Sequence, residues 1–204
     1  MSEPPPPIEQ KRSTPLLTTV ILIVAAVAMV GGGVKMFGGI QKIAGSHSDP
    51  KVDLLLKESD IALDEANKQI QIAVPAFQQH LNDFDQLKVD GFRQEKRESS
   101  NHLIAQFAKT AEQFRMAAKK LDEAATLSAD KKLNGYIVIK SKSYGLLAQV
   151  CDQDAEMIRV LLDDSSADSA TITEKVLKLA ASRDLIQKAA DEAMTEADAV
   201  IKGI

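Results

Sequence analysis

The chain has 204 residues, of which 45% are hydrophobic, and its formal net charge at pH 7 is −4. A mildly acidic chain lacks the strong basic footprint of proteins that bind nucleic acids, so we predict no nucleic-acid partner. The single cysteine, Cys151, excludes a disulfide within the chain.

The N-terminal segment divides into a tail and a long apolar run. Residues 1–15 contain four consecutive prolines and are predicted to form a disordered tail. Residues 16–34 follow, 19 residues without a charge. At 1.5 Å per residue, a helix of this length spans roughly 28 Å, close to the hydrocarbon thickness of a bilayer. We therefore predict one transmembrane helix, with the lipid bilayer as a partner of residues 16–34.

The apolar run has an alternative interpretation as a cleaved signal peptide. Ala26-Val27-Ala28 matches the small residues that precede a cleavage site, and basic residues lie upstream. The run continues for six residues beyond Ala28 and is closed by Lys35, which favours an uncleaved signal anchor. Basic residues are nearly balanced on the two flanks. A short basic leader usually stays in the cytoplasm, so we expect a single-pass membrane protein with an extracytoplasmic C-terminal domain.

A glycine-rich tether over residues 35–48 is predicted to join this helix to the domain formed by residues 49–204. Asp49-Pro50 combines a helix cap with a proline at the first helical position, and the apolar spacing is helical from there on. Four helices are expected: about 51–89, about 92–127, a third that starts after Ser128 and reaches about 163, and a fourth over about 171–202.

Local signals mark the helix ends. Gly91 suits a left-handed cap after the first helix. Either Ser128 or Asp130 can cap the third helix, and the spacing of Thr171 and Glu174 matches a capping box at the start of the fourth.

Folding these helices into antiparallel pairs places bulky residues opposite small ones. In the first hairpin Ala66 faces Phe114, and in the second Tyr144 faces Ala190. Such alternation is what a densely packed core requires. The predicted fold is all-α: an antiparallel up-down four-helix bundle, with coiled-coil packing in its last hairpin, after a single N-terminal transmembrane helix.

Arg183 is a polar residue in the heptad pattern of the fourth helix, opposite Cys151. It is a candidate buried polar contact that fixes the helix register, or an anchor for an acidic ligand. The alternative is an arginine that extends to the rim of the bundle and pairs there with an aspartate. The candidate partners are Asp152, Asp154 and Asp184. Cys151 has no histidine within helical reach, so we interpret it as a core residue and not as a nucleophile.

His80 and His102 are expected at nearly the same height on the first two helices, which makes them a candidate metal pair. Zinc usually takes three or four protein ligands, so we prefer the interpretation of two surface histidines and predict no metal and no cofactor.

The sequence contains no phosphate-binding loop, catalytic triad or pair of catalytic carboxylates, so we expect a protein that is not an enzyme. The first hypothesis is a membrane-tethered helical bundle that acts through protein–protein contacts as a scaffold, adaptor or assembly subunit, with self-association open to it. The second is an extracytoplasmic bundle that senses or binds a small ligand. A polar pocket between the helices favours the second hypothesis, and a filled core favours the first.

Overall fold

The computed structural model describes residues 49–163 and 168–202, and this part of the chain holds three helices and no strand. They are α1 (Pro50–Leu127), α2 (Lys131–Leu162) and α3 (Ser169–Lys202). The all-α class is confirmed. The predicted tail, transmembrane helix and tether lie outside the described residues. Within those residues, no helix has the length and apolar character needed to cross a bilayer.

Helix α1 is folded back on itself. Its 78 residues would extend over roughly 117 Å if straight. However, the hydroxyl of Ser59 donates to the carbonyl of Ala117 at 3.0 Å, and the rings of Phe77 and Phe107 are 5.7 Å apart. The midpoints of these two pairs place the reversal between residues 88 and 92. Helix α1 therefore forms two antiparallel arms, arm 1 over residues 50–89 and arm 2 over residues 92–127, as the predicted first hairpin requires.

The reversal is packed around an aromatic side chain. Phe92 is fully buried, and its ring centroid lies 5.3 Å from that of Phe84 and 6.0 Å from that of His80. The left-handed cap predicted at Gly91 is wrong, because Gly91 has no left-handed φ and the backbone stays helical through the bend. Phe92 is thus buried against arm 1 at the position of the turn.

Aspartates cap the starts of the helices. The Asp49 carboxylate accepts from the backbone N–H of Lys51, as predicted. Of the two candidates before α2, Asp130 is the cap, and it accepts from the N–H groups of Lys132 and Leu133. Each such cap satisfies an N–H that the helix itself leaves unpaired.

The start of α3 differs from the prediction. Asp168 accepts from the N–H groups of Ala170 and Thr171 and from the hydroxyl of Thr171. The predicted capping box of Thr171 and Glu174 is therefore wrong, since an aspartate three residues earlier already occupies the cap. Glu174 instead forms an ion pair with Lys178 at 2.6 Å.

Helix α2 lies between the other elements. The Ser141 hydroxyl donates to the carbonyl of Ala118 on arm 2 at 3.0 Å, and the Ser143 hydroxyl donates to that of Ala190 on α3 at 3.1 Å. Close backbone approaches join α2 to α1 and α2 to α3, with few between α1 and α3. The bond from Ser143 to Ala190 agrees with the predicted register of the second hairpin to within one residue, and Tyr144 is buried. Arms 1 and 2, α2 and α3 thus form four helical segments around one core.

Candidate functional site

Arg183 lies in the interface between α2 and α3 and is completely buried. Its Nε donates to Asp154 Oδ1 at 2.9 Å, and its Nη1 lies 3.4 Å from Asp184 Oδ1. Asp154 is itself only 2% exposed. The expected pairing with an aspartate is confirmed, but the extended, rim-exposed conformation is wrong.

Asp152, another expected partner, faces a different element. Its carboxylate pairs with Arg115 of arm 2 at the surface of the bundle. The two aspartates, two positions apart on α2, therefore point to different neighbours: Asp154 to α3 and Asp152 to α1. Only Asp154 contributes to the buried pair.

Burial raises the pKa of Asp154 to about 6, although the guanidinium of Arg183 opposes the shift. Loss of hydration is thus the larger effect on this carboxyl group. Arginine does not release its proton at accessible pH, so any neutralisation of the pair occurs on Asp154.

This raised pKa predicts a pH dependence of stability. A folded-state pKa above the unfolded value means that the folded protein binds the proton more tightly, so the carboxyl favours folding more strongly as the pH falls from 7 through 6. Between pH 7 and pH 5 the wild type should gain about 1 kcal/mol of unfolding free energy relative to Asp154→Asn. Urea denaturation of both proteins at pH 7 and pH 5 measures the two changes in unfolding free energy. The contributions of the other carboxyl groups are common to both proteins and cancel when one change is subtracted from the other. A relative loss for the wild type on acidification would contradict it.

Two buried polar atoms lie near this pair without a hydrogen-bond partner, Arg183 Nη2 and Gln187 Oε1. They belong to residues one helical turn apart on α3, and the amide nitrogen of Gln187 donates to Asp191 at 2.9 Å. A donor and an acceptor left unpaired in a core cost free energy that only a further polar group can restore. These two atoms are the unsatisfied polar groups of the interface between α2 and α3 nearest to the ion pair.

Cys151 of α2 is buried in the core, and burial raises the pKa of its thiol well above the ordinary value. Loss of hydration is the main cause, and Asp154 and Asp152 add to it. The group stays protonated at neutral pH, which agrees with its interpretation as a core residue.

A second buried polar group, missed from the sequence, surrounds Lys140 on α2. Lys140 is 1% exposed, and its Nζ lies 5.5 Å from the ring centroid of Tyr136 and 5.7 Å from that of Tyr144. Burial lowers the pKa of Lys140, whereas Asp198 of α3 and Asp60 of arm 1 act in the opposite direction. This lysine thus links three helical segments through aromatic and electrostatic contacts.

A signal for this group was present in the sequence. Tyr136, Lys140 and Tyr144 follow one another at intervals of four residues, which places them on one face of a helix. The spacing shows that the three residues share one face of α2. The burial of the Lys140 ammonium group depends on how α1 and α3 cover that face.

The two candidate metal ligands have different surroundings in the structure. His80 is buried, with Nδ1 2.9 Å from the carbonyl of Ala76 and Nε2 3.2 Å from the hydroxyl of Ser99. His102 is exposed. Among the residues that the structure describes, no three histidine, cysteine or acidic side chains are grouped as metal ligands. The expected surface position is therefore wrong for His80, whose ring instead packs at the bend of α1.

The outer side of arm 1 carries an exposed apolar stripe. Leu54, Ile61 and Ile72, here called the outer stripe, are 57%, 69% and 58% exposed. Next to Ile61, an open groove of about 450 Å³ continues over Ala62 to Met116 of arm 2. The three side chains lie on one exposed helix face, and with the groove beside Ile61 they are the candidate surface for contact with another protein.

Comparison with known proteins gave no match to any family model, to any curated protein or to any solved structure.

Proposed function

We propose that this protein is a membrane-tethered, non-enzymatic helical bundle that acts through protein–protein contacts, as a scaffold, adaptor or assembly subunit. The observation that carries the proposal is the outer stripe, because three exposed apolar residues on one face of a stable hairpin provide a recognition surface. The buried lysine, cysteine and ion pair of the core are held by neighbouring helices, where they serve packing and register.

The second part of the proposal is the location. The uncharged run over residues 16–34 acts as a single-pass signal anchor, and the bundle that follows the tether lies on the extracytoplasmic side. The anchor and tether keep the N-terminal end of arm 1, where the outer stripe begins, within reach of the bilayer.

Alkaline carbonate extraction of cell membranes tests the anchor. The full chain should remain in the membrane pellet, and Val24→Arg with Ala25→Arg, which interrupt the apolar run, should release it. Added protease should remove the bundle only from the extracytoplasmic side. Release of the unaltered chain by carbonate would contradict the proposal.

Photo-cross-linking in intact membranes tests the protein contact. A photoreactive amino acid at position 61 should give discrete protein adducts, and the same amino acid at position 185 on α3, where Leu185 is 72% exposed, provides the matched control. Absence of adducts from position 61, or equal adducts from both positions, would overturn the assignment of the outer stripe as a binding surface.

A second function, sensing or binding a small extracytoplasmic ligand, is favoured by the unpaired Arg183 Nη2 and Gln187 Oε1. A ligand carboxylate can accept from this guanidinium nitrogen. Thermal denaturation with and without millimolar acetate tests the idea, since acetate should raise the melting temperature of the wild type but not of Arg183→Met. An equal response of both proteins would exclude it.

A further inference from the structure

Helix α3 is held to the bundle unevenly along its length. Its N-terminal turns bury two bulky apolar residues, Ile172 and Val176. In the C-terminal segment, defined here as residues 177–200, larger apolar side chains such as Leu179 and Met194 are only partly buried. The buried side chains of this segment are small or polar: Ala180, Arg183, Gln187, Ala190, Ala193 and Ala197. The C-terminal segment therefore removes little apolar surface from water.

Helix α2 is buried in a different way. Bulky residues are buried along its whole length, from Leu133 and Tyr136 near its start to Ile158 and Leu161 near its end. Its neighbours differ as well, because α2 approaches both α1 and α3 closely, whereas α3 makes few close approaches to α1. Separation of the C-terminal segment from α2 therefore leaves the packing of α2 against α1 in place.

Polar groups provide much of the contact between the C-terminal segment and α2. The Ser143 hydroxyl donates to the carbonyl of Ala190, and Arg183 donates to Asp154. Water can replace these hydrogen bonds when the segment moves away. It can also hydrate Arg183 Nη2 and Gln187 Oε1, which have no hydrogen-bond partner in the closed interface. Opening at this interface therefore costs less free energy than the loss of an apolar contact of the same area.

Cys151 of α2 lies next to the C-terminal segment. Its side chain is 1% exposed, and the charges of Arg183 on α3 and Arg115 on arm 2 both act on its thiol. The thiol is thus enclosed between α3 and arm 2. Movement of α3 away from α2 opens one side of it to solvent.

We infer that the C-terminal segment of α3 detaches from α2 while α1 and α2 stay folded, and that this opening exposes the thiol of Cys151. Segments with few buried apolar contacts are those that open locally in folded proteins. Neither the membrane anchor nor the outer stripe takes part in this opening.

The single thiol of the chain provides the probe. The full chain in detergent is labelled with dithionitrobenzoate at fixed pH, over urea concentrations below the unfolding transition. The labelling rate relative to that of the unfolded chain gives the free energy of opening. Its dependence on urea should have less than half the slope of global unfolding, because this slope follows the surface exposed and only one segment opens. Equal slopes would show that the thiol reacts only in the unfolded chain and would overturn the inference.

Hydrogen exchange measured by mass spectrometry identifies the segment that opens. Backbone amides of residues 180–200 should exchange at least about tenfold faster than those of residues 144–158 in α2. Equal exchange in the two ranges, or faster exchange in α2, would contradict the inference.

A pair of methionine substitutions on α3 tests the physical cause. Gln187→Met replaces a buried amide with an apolar side chain of similar length, and it should slow the labelling of Cys151 at least about threefold. Lys188→Met places the same residue where the side chain is 76% exposed, and it should leave the labelling rate unchanged. Unchanged labelling of Gln187→Met, or equal slowing in both variants, would overturn the inference.

Discussion

Asp154→Leu is expected to lower the free energy of unfolding by about 3–5 kcal/mol. Asp154 accepts the hydrogen bond from Arg183 Nε at 2.9 Å whether or not its carboxyl is ionised, and a leucine would leave this nitrogen of a fully buried guanidinium without an acceptor. Arg183 cannot relieve this cost by losing its proton. Equilibrium denaturation in urea measures the loss.

Arg183→Met, the variant that removes the other partner of the pair, should lower the free energy of unfolding less than Asp154→Leu does. Arg183→Met leaves Asp154 buried, but with a pKa already raised to about 6 this carboxyl can become neutral by binding a proton. The double variant, with both residues replaced, should recover most of the stability, because two apolar side chains need no mutual compensation. A cycle of the four proteins measures the coupling. Additive losses, or a larger loss from Arg183→Met than from Asp154→Leu, would contradict the account of this pair.

Asp184→Leu serves as the matched control. Asp184 also contacts Arg183, at 3.4 Å, but its side chain is 42% exposed. Exposed ion pairs contribute at most about 1 kcal/mol, so this change should cost far less than the loss of Asp154.

Phe107→Ala is the second change with a large expected effect, a loss of about 3–5 kcal/mol. Phe107 is fully buried on arm 2, and its ring meets that of Phe77 on arm 1 edge to face at 5.7 Å. The cavity would open at the contact that joins the two arms, where neighbouring helices can close it only in part. Thermal or urea denaturation measures the loss.

Met116→Ala on the same arm is the control for this prediction. Met116 is 43% exposed, so its truncation removes little buried surface and should change stability by less than about 1 kcal/mol. Equal, small losses at both positions would show that the arms do not pack as described.

The sequence predicts the larger features of this fold because they depend on local and periodic signals. Asp49 is identified as a cap by its type and by the proline after it, and the bond from Ser143 to Ala190 agrees with the register predicted from bulky and small layers. The helical state of α2 also follows from context. Tyr136 and Ile137, an aromatic and a β-branched residue of types common in strands, are buried within a helix between α1 and α3.

The remaining features depend on contacts that a single helix does not encode. At the bend of α1, Phe92 is buried against Phe84 and His80 of arm 1, and the residue type of Gly91 alone does not encode this contact. Likewise, the burial of Arg183 and Lys140 results from the neighbouring helices that cover them. Spacing can place such residues on a face, but it cannot determine how deeply the face is covered.

The fold-back of α1 is the central claim, and a distance between the arms measures it directly. Glu65 and Lys109 lie on different arms, with Lys109 Nζ 3.7 Å from Glu65 Oε1. Spin labels on cysteines at these two positions, in a Cys151→Ala background and diluted with unlabelled protein, report distances within one chain. Double electron–electron resonance should give a distance between the two labels below about 25 Å, whereas an unbent helix would separate the positions by roughly 66 Å. The longer distance, or a short distance lost on dilution, would contradict the account.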